Sequence, residues 1–167
     1  MRKWLGSILT AFAFAMFALP AGAAPEKKFS VAMSPSVIPA TAVTMTATFK
    51  NETPSGNSSI NSINIEAPAG LEITNTAANP PTANWPGQIT WDRGWIKIQN
   101  MSPLKPGRSF VLTLQVTPTT SSCTPVTWNA EARTGSSLSG DTFRQLYPPE
   151  TTANPTTTVA AGNVLQF

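Results

Sequence analysis

From residue 29 onward, apolar and polar residues alternate with period two, the signature of strands that bury one face. Val43, Met45, Ala47 and Phe49 fall on one side, with Thr44, Thr46, Thr48 and Lys50 on the other. Phe110, Leu112, Leu114 and Val116 alternate with Val111, Thr113, Gln115 and Thr117. Val126, Trp128, Ala130 and Ala132 alternate with Thr127, Asn129, Glu131 and Arg133. Shorter runs of the same kind cover residues 29–33, 63–65, 71–73, 89–91, 96–98 and 141–146. Ile60 is out of phase with Ile63 and Ile65, which predicts a bulge near Asn61-Ser62. Turn formers separate the runs: Ser34-Pro35, Pro54-Ser55-Gly56-Asn57, Pro68-Ala69-Gly70, Asp92-Arg93-Gly94 and Pro106-Gly107. Beyond the first 23 residues no apolar stripe of helical period occurs. The pattern predicts an all-β antiparallel sandwich of eight or nine short strands. Its core is expected to hold Val43, Met45, Phe49, Ile63, Ile65, Ile89, Trp91, Phe110, Leu112, Leu114, Val116 and Trp128.

The N-terminus follows a different rule. Arg2 and Lys3 precede an uncharged, largely apolar run at 4–19, Pro20 breaks it, and Ala21-Gly22-Ala23 supplies small residues. This is the pattern of a secretory signal peptide, with cleavage expected between Ala23 and Ala24. An uncleaved anchor would need ~20 apolar residues, more than this run contains. No Cys follows the run, so a bacterial lipoprotein anchor is not expected. Residues 1–23 are therefore assigned to the signal and 24–148 to the sandwich. Export to the periplasm, the medium or the cell surface follows. The membrane is then a partner only through the signal, before cleavage.

Removing the signal changes the charge. The full chain has 11 Lys and Arg against 8 Asp and Glu, but the mature part keeps nine cations against all eight acids. A net charge of +1 with scattered cations gives no basic patch for phosphates, so nucleic acid is not an expected partner. Thr, Ser and Asn make up about a third of the mature residues, a composition suited to half-buried strands and turns. Residues 149–167 form a tail whose first part, rich in Thr and Pro, reads as an extended linker from Pro148 to Thr158. Its end regains apolar character at Val159, Val164, Leu165 and Phe167. The tail reads as a frayed terminus, or as a strand that self-associates with another chain.

Four stretches carry a resemblance. These are the strand at 43–50 leading into Asn51-Glu52-Thr53, the turn Ala67-Pro68-Ala69-Gly70-Leu71, the lead-in Leu104-Lys105-Pro106-Gly107-Arg108-Ser109-Phe110, and residues 123–134 around Trp128. Together they resemble the immunoglobulin-like β-sandwich modules of bacterial surface and secreted proteins. The resemblance spans roughly 120 residues, the usual size of such a sandwich. It implies a spacer, an adhesin stalk or an assembly subunit, with other surface proteins or glycans as partners. The paired cysteines that bridge the sheets of antibody domains are lacking, because the chain has a single Cys.

Candidate chemistry is sparse. With no His, no serine has the usual general base, and one Cys builds no thiolate metal cluster. The acids are scattered singly, so neither a two-carboxylate glycosidase nor a calcium loop is expected. The expected assignment is a non-enzymatic module without catalytic residues, metal or cofactor, structural or adhesive in role. Two alternatives stand beside it. A carbohydrate-binding module would use Trp85 and Trp95, the two tryptophans whose phase allows joint exposure, as stacking platforms. A fibre or pilus-type subunit would assemble by strand exchange. Cys123, an odd cysteine in an exported chain, suggests an intermolecular bond or free thiol. Burial as a small apolar residue is the favoured reading. Asn51, Asn57 and Asn100 head glycosylation sequons that matter only in a glycosylating source.

Overall fold

The computed structural model describes residues 25–160 except 55, 57, 121 and 122. The signal-peptide reading and the apolar end of the tail, 161–167, lie outside the described residues. Thirteen strands and no helix are present among the described residues: β1 (Lys28–Ser34), β2 (Val37–Ile38), β3 (Val43–Asn51), β4 (Ser62–Glu66), β5 (Leu71–Ile73), β6 (Thr82–Ala83), β7 (Gln88–Asp92), β8 (Trp95–Gln99), β9 (Ser109–Pro118), β10 (Val126–Thr127), β11 (Asn129–Arg133), β12 (Thr142–Leu146) and β13 (Thr156–Val159). All nine runs read from alternation become strands. The count exceeds eight or nine because the run at 126–133 breaks at Trp128 into β10 and β11, and because β2, β6 and β13 are added.

The main sheet runs β5-β9-β3-β1-β12-β11-β4-β8-β7, with β6 also on β9. Its two arms face each other across the core. The front arm is β5-β9-β3-β1 and the back arm is β11-β4-β8-β7. Eight paired positions join β3 to β9, and their inward members supply Met45, Ala47, Phe49, Phe110, Leu112 and Leu114. Phe49 lies opposite Phe110 in this register, and the rings stack with centroids 5.1 Å apart. The back arm contributes Ile63, Ile65, Ile96 and Ile98. Trp128, fully buried, is the largest side chain of the interior. Of the predicted core, Val43, Ile89 and Trp91 are only partly buried. Ile89 and Trp91 face inward, and the Trp91 indole N–H reaches the Asn75 carbonyl, but β7 is the outermost strand of its arm and no described strand pairs with its outer edge. In place of the predicted bulge near Asn61-Ser62, Ile60 lies outside the strand in an isolated bridge with Leu104, and β4 starts at Ser62.

The two arms join along one seam, and the seam explains the tail. β12 lies parallel to β1 and antiparallel to β11. After Leu146 the chain leaves the seam through residues 147–153. It returns at Asn154, whose carbonyl accepts the Met33 N–H, and continues as β13. β13 lies parallel to β2 and antiparallel to β10. Thus β12 and β13 run end to end along β1 and β2 and fill the same seam in two pieces. The expected extended linker from Pro148 to Thr158 is corrected accordingly, because Thr156 to Thr158 pair in β13. Val159, expected outside the core, is buried in it. Four consecutive β-branched residues, Thr156-Thr157-Thr158-Val159, suit a pleated half-buried surface. The prolines account only for the excursion between the two pieces, where a chain without amide hydrogens cannot continue the ladder.

Candidate functional site

The gap left by the excursion exposes two backbone groups of the back arm, and one side chain fills it. The Gln145 carboxamide oxygen accepts the Ala130 N–H at 2.8 Å, and its nitrogen donates to the Trp128 carbonyl at 3.2 Å. A side-chain amide thus stands in for a missing peptide unit. Beyond the gap, the Trp128 backbone N–H donates to the Pro155 carbonyl. Its indole N–H donates to the Thr157 hydroxyl at 3.0 Å, and both residues are fully buried. A buried polar group needs such a partner, so the seam strand also supplies the acceptor that the core tryptophan requires.

A surface network lies at the start of the same seam. Arg144 on β12 donates from Nη1 and Nη2 to Glu150 at 2.8 and 3.1 Å and from Nε to Glu26 at 2.6 Å. Lys28 pairs with Glu26, and Lys27 with Asp141. The Arg144 hydrogen bonds hold the Glu26 and Glu150 carboxyls below their ordinary range, and Lys27 does the same for Asp141. Bonds to Glu150 and Glu26 keep Arg144 more firmly protonated. The network clamps residues before β1 to β12 and to the excursion.

The two tryptophans singled out for stacking sit in different settings. Trp85 packs against the interior cluster from the bend between β6 and β7, and its N–H donates to the Ser102 carbonyl at 2.7 Å. Trp95 is on β8, opposite in phase to the buried Ile96 and Ile98. The Lys97 ammonium lies 4.3 Å from its ring centroid, covering one face. Trp95 pairs with Glu66, and Glu66 with Asn129, so the outer surface of the back arm is a mixed polar row. There a pocket of about 110 Å³ is lined by Asn64, Glu66, Asn129, Ala130 and Glu131. The Asn64 carboxamide oxygen is buried without a partner in this region. A second, more open hollow of about 320 Å³ lies on the outer surface of the front arm, between Ser30, Lys50, Glu52 and the excursion at Thr151 and Thr152. Its charged members, Lys50 and Glu52, pair at 2.9 Å, and the Ser30 hydroxyl donates to Glu52 at 2.9 Å.

Cys123 is exposed, which corrects the favoured reading of a buried apolar residue. It sits in the connection before β10 rather than on an inward strand position. Asn51 is fully buried, and its carboxamide is spent within the fold. Its nitrogen donates to the Ser58 and Leu104 carbonyls, each at 2.9 Å, and its oxygen accepts the Thr53 N–H at 3.1 Å. Asn51 is therefore a structural tie and not a glycan acceptor in the folded chain. Asn57 lies outside the described residues, and Asn100 is exposed. Among the described residues no group of three or more His, Cys, Asp or Glu is placed to hold a metal ion.

Sequence reasoning missed Gln145 and Thr157. A signal for Thr157 existed: a core tryptophan needs an acceptor, and a β-branched run follows the prolines. None existed for Gln145, whose role depends on where the chain leaves the seam.

No protein family model matches the sequence, and no curated protein does. Among solved structures, the chain is similar to a non-cellulosomal cohesin from the hyperthermophilic archaeon Archaeoglobus fulgidus, with 12% identity and a TM-score of 0.40, over 80% of this chain and 89% of that one. It is also similar to a cohesin module from a family 33 glycoside hydrolase of Clostridium perfringens, with 10% identity and a TM-score of 0.42, over 83% of this chain and 99% of that one.

Proposed function

We propose that the chain is a non-enzymatic, exported sandwich module of immunoglobulin-like kind, with a structural or adhesive role at the cell surface or in the envelope. The observation that carries this reading is the path of the chain. It enters beside Lys28 at the start of β1 and, after thirteen strands, leaves beside Ile38 at Ala160. Those points lie at the opposite ends of the run from β1 to β2, which bends at Pro35 and Ser36 as it passes from the large sheet to the small one. A module that takes its chain in at one pole and releases it at the other holds its two ends apart, as a spacer does. The side chains support the same role. Arg144, Lys27, Lys28 and Lys50 are committed to ion pairs, and the buried polar groups Asn51 and Thr157 tie segments together. Export rests on the pattern at 1–23.

Fractionation of a bacterial host expressing the full chain tests this. The expected result is a product beginning at Ala24, found outside the cytoplasm. Full-length protein beginning at Met1 and retained in the cytoplasm would overturn it.

A further inference from the structure

β7 is an open edge. In its hairpin with β8, Asp92 pairs with Trp95, Thr90 with Lys97 and Gln88 with Gln99. A hairpin closed by two residues makes the closing pair the hydrogen-bonded one, and bonded pairs then alternate along the ladder. Asp92, Thr90 and Gln88 therefore spend their backbone groups on β8. The N–H and C=O of Ile89 and Trp91 point away from the sheet, and no described residue bonds them. Of the usual edge devices it has only its shortness and the terminal Asp92: the strand Gln88–Asp92 contains no proline, no lysine and no bulge. Its inward side chains, Ile89 and Trp91, are half-buried, so an added strand would also complete their cover.

We infer that this edge receives residues 161–167 of a second copy of the chain. That segment reads Ala-Gly-Asn-Val-Leu-Gln-Phe. Its last three residues, Leu165-Gln166-Phe167, repeat the apolar–polar–apolar order of Ile89-Thr90-Trp91. Paired on the edge, Leu165 and Phe167 fall on the core side beside Ile89 and Trp91, and Gln166 falls outside. Strand addition of this kind takes affinity from backbone bonds and selectivity from alternate side chains. The donor is assigned to a second copy because the path from the chain's own β13 is long. From β13, a strand added beyond β7 is five strand spacings away, past β10 and β11, β4, β8 and β7. At ~4.8 Å each that is about 24 Å along the sheet. Five residues, from Ala160 to Leu165, reach at most ~18 Å. A tail that engages a different surface on the next copy makes a head-to-tail contact, which propagates into open chains instead of closing as a dimer. This assembly deepens the reading of the chain as a structural module and rests on it.

The test uses mature protein in sedimentation equilibrium over a concentration series. The expected result is a weight-average mass that rises past dimer with concentration. The double variant Leu165→Ser/Phe167→Ser should stay monomeric with an unchanged melting temperature. Ile89→Pro should also stay monomeric, because the Ile89 N–H is unbonded and an edge position tolerates proline. Mixed, these two variants should form a one-to-one complex and nothing larger, since one keeps the edge and the other keeps the tail. If Ile89→Pro does not fold, a synthetic peptide of residues 160–167 replaces it and should bind the tail variant and dissociate wild-type oligomers. Mature protein that stays monomeric throughout the series overturns the proposal while leaving the export result standing. Oligomers that survive in the tail variant overturn it in favour of edge-to-edge pairing of β7 with itself.

Discussion

Replacing Thr157 by Val isolates the bond between the terminal strand and the core. The two side chains have nearly the same shape, so packing changes little, but the acceptor of the Trp128 indole N–H disappears. Both residues are fully buried, and water has no access to take its place. A buried donor left unpaired costs ~1–3 kcal/mol. The new methyl group gains at most ~0.8 kcal/mol by its own burial, so the unpaired donor wins. The net loss is about 1–2 kcal/mol. For a domain of this size each kcal/mol corresponds to roughly 3–5 °C, so the melting temperature should fall by ~3–10 °C. Urea unfolding followed by tryptophan fluorescence measures the loss, and Trp128→Phe supplies the control. Phenylalanine has no N–H to satisfy, so Thr157→Val in that background should cost nothing or stabilise slightly. The cycle should show a coupling of ~1 kcal/mol or more. Equal losses in both backgrounds, within ~0.3 kcal/mol, would refute the claim that this bond ties the strand to the core.

Three further outcomes follow from the seam and the surface. A chain ending at Ala153 loses β13 and leaves Trp128, Ile38 and the edges of β2 and β10 uncovered, so it should be unfolded by circular dichroism at 25 °C. Glu26, Asp141 and Glu150 have carboxyls held below their ordinary range, so their stabilisation is complete above the unfolded pKa of ~4 and disappears as pH falls through the lower folded values. Acid unfolding of Arg144→Gln should therefore begin at higher pH than in wild type, with a difference that shrinks in high salt because the pairs are exposed. Cys123 should react stoichiometrically with a thiol reagent in the native protein, without denaturant; protection until unfolding would contradict its exposed position.

What the sequence shows well is the facing of side chains, and what it shows poorly is neighbourhood. Alternation located β3, β9 and β11 because each has inward apolar residues at every second position. The same alternation placed Ile89 and Trp91 in the core, correctly in direction but not in depth. Periodicity says which side of a strand is buried, and only sheet order reveals that β7 has one neighbour. The two-residue strands β2, β6 and β10 are too short to carry a period and exist because of their partners. β13 failed for a different reason. Taken as a whole, 148–158 is polar and proline-rich, and that average hides the β-branched run inside it. For Cys123 the burial habit of cysteine misleads, because its place in a connection sets its exposure. Of the candidate residues, Trp95 was legible as a non-core phase. The packing of Trp85 on the interior was not, because it depends on how the bend before β7 folds back.

The parallel pairing along the seam has a mechanical consequence. β1 and β2 lie beside β12 and β13, all pointing the same way, with the incoming chain at one pole and the outgoing chain at the other. Tension applied between those poles pulls neighbouring strands in opposite directions along their own axes. The interstrand bonds lie across that load and are strained together, in shear. Opening the seam then requires several bonds to fail at once. The same seam pulled sideways would peel one bond at a time and yield at far lower force. Resistance to forced unfolding is set by the height of that barrier and not by equilibrium stability. A sandwich of ordinary stability can thus be stiff along its long axis and weak across it.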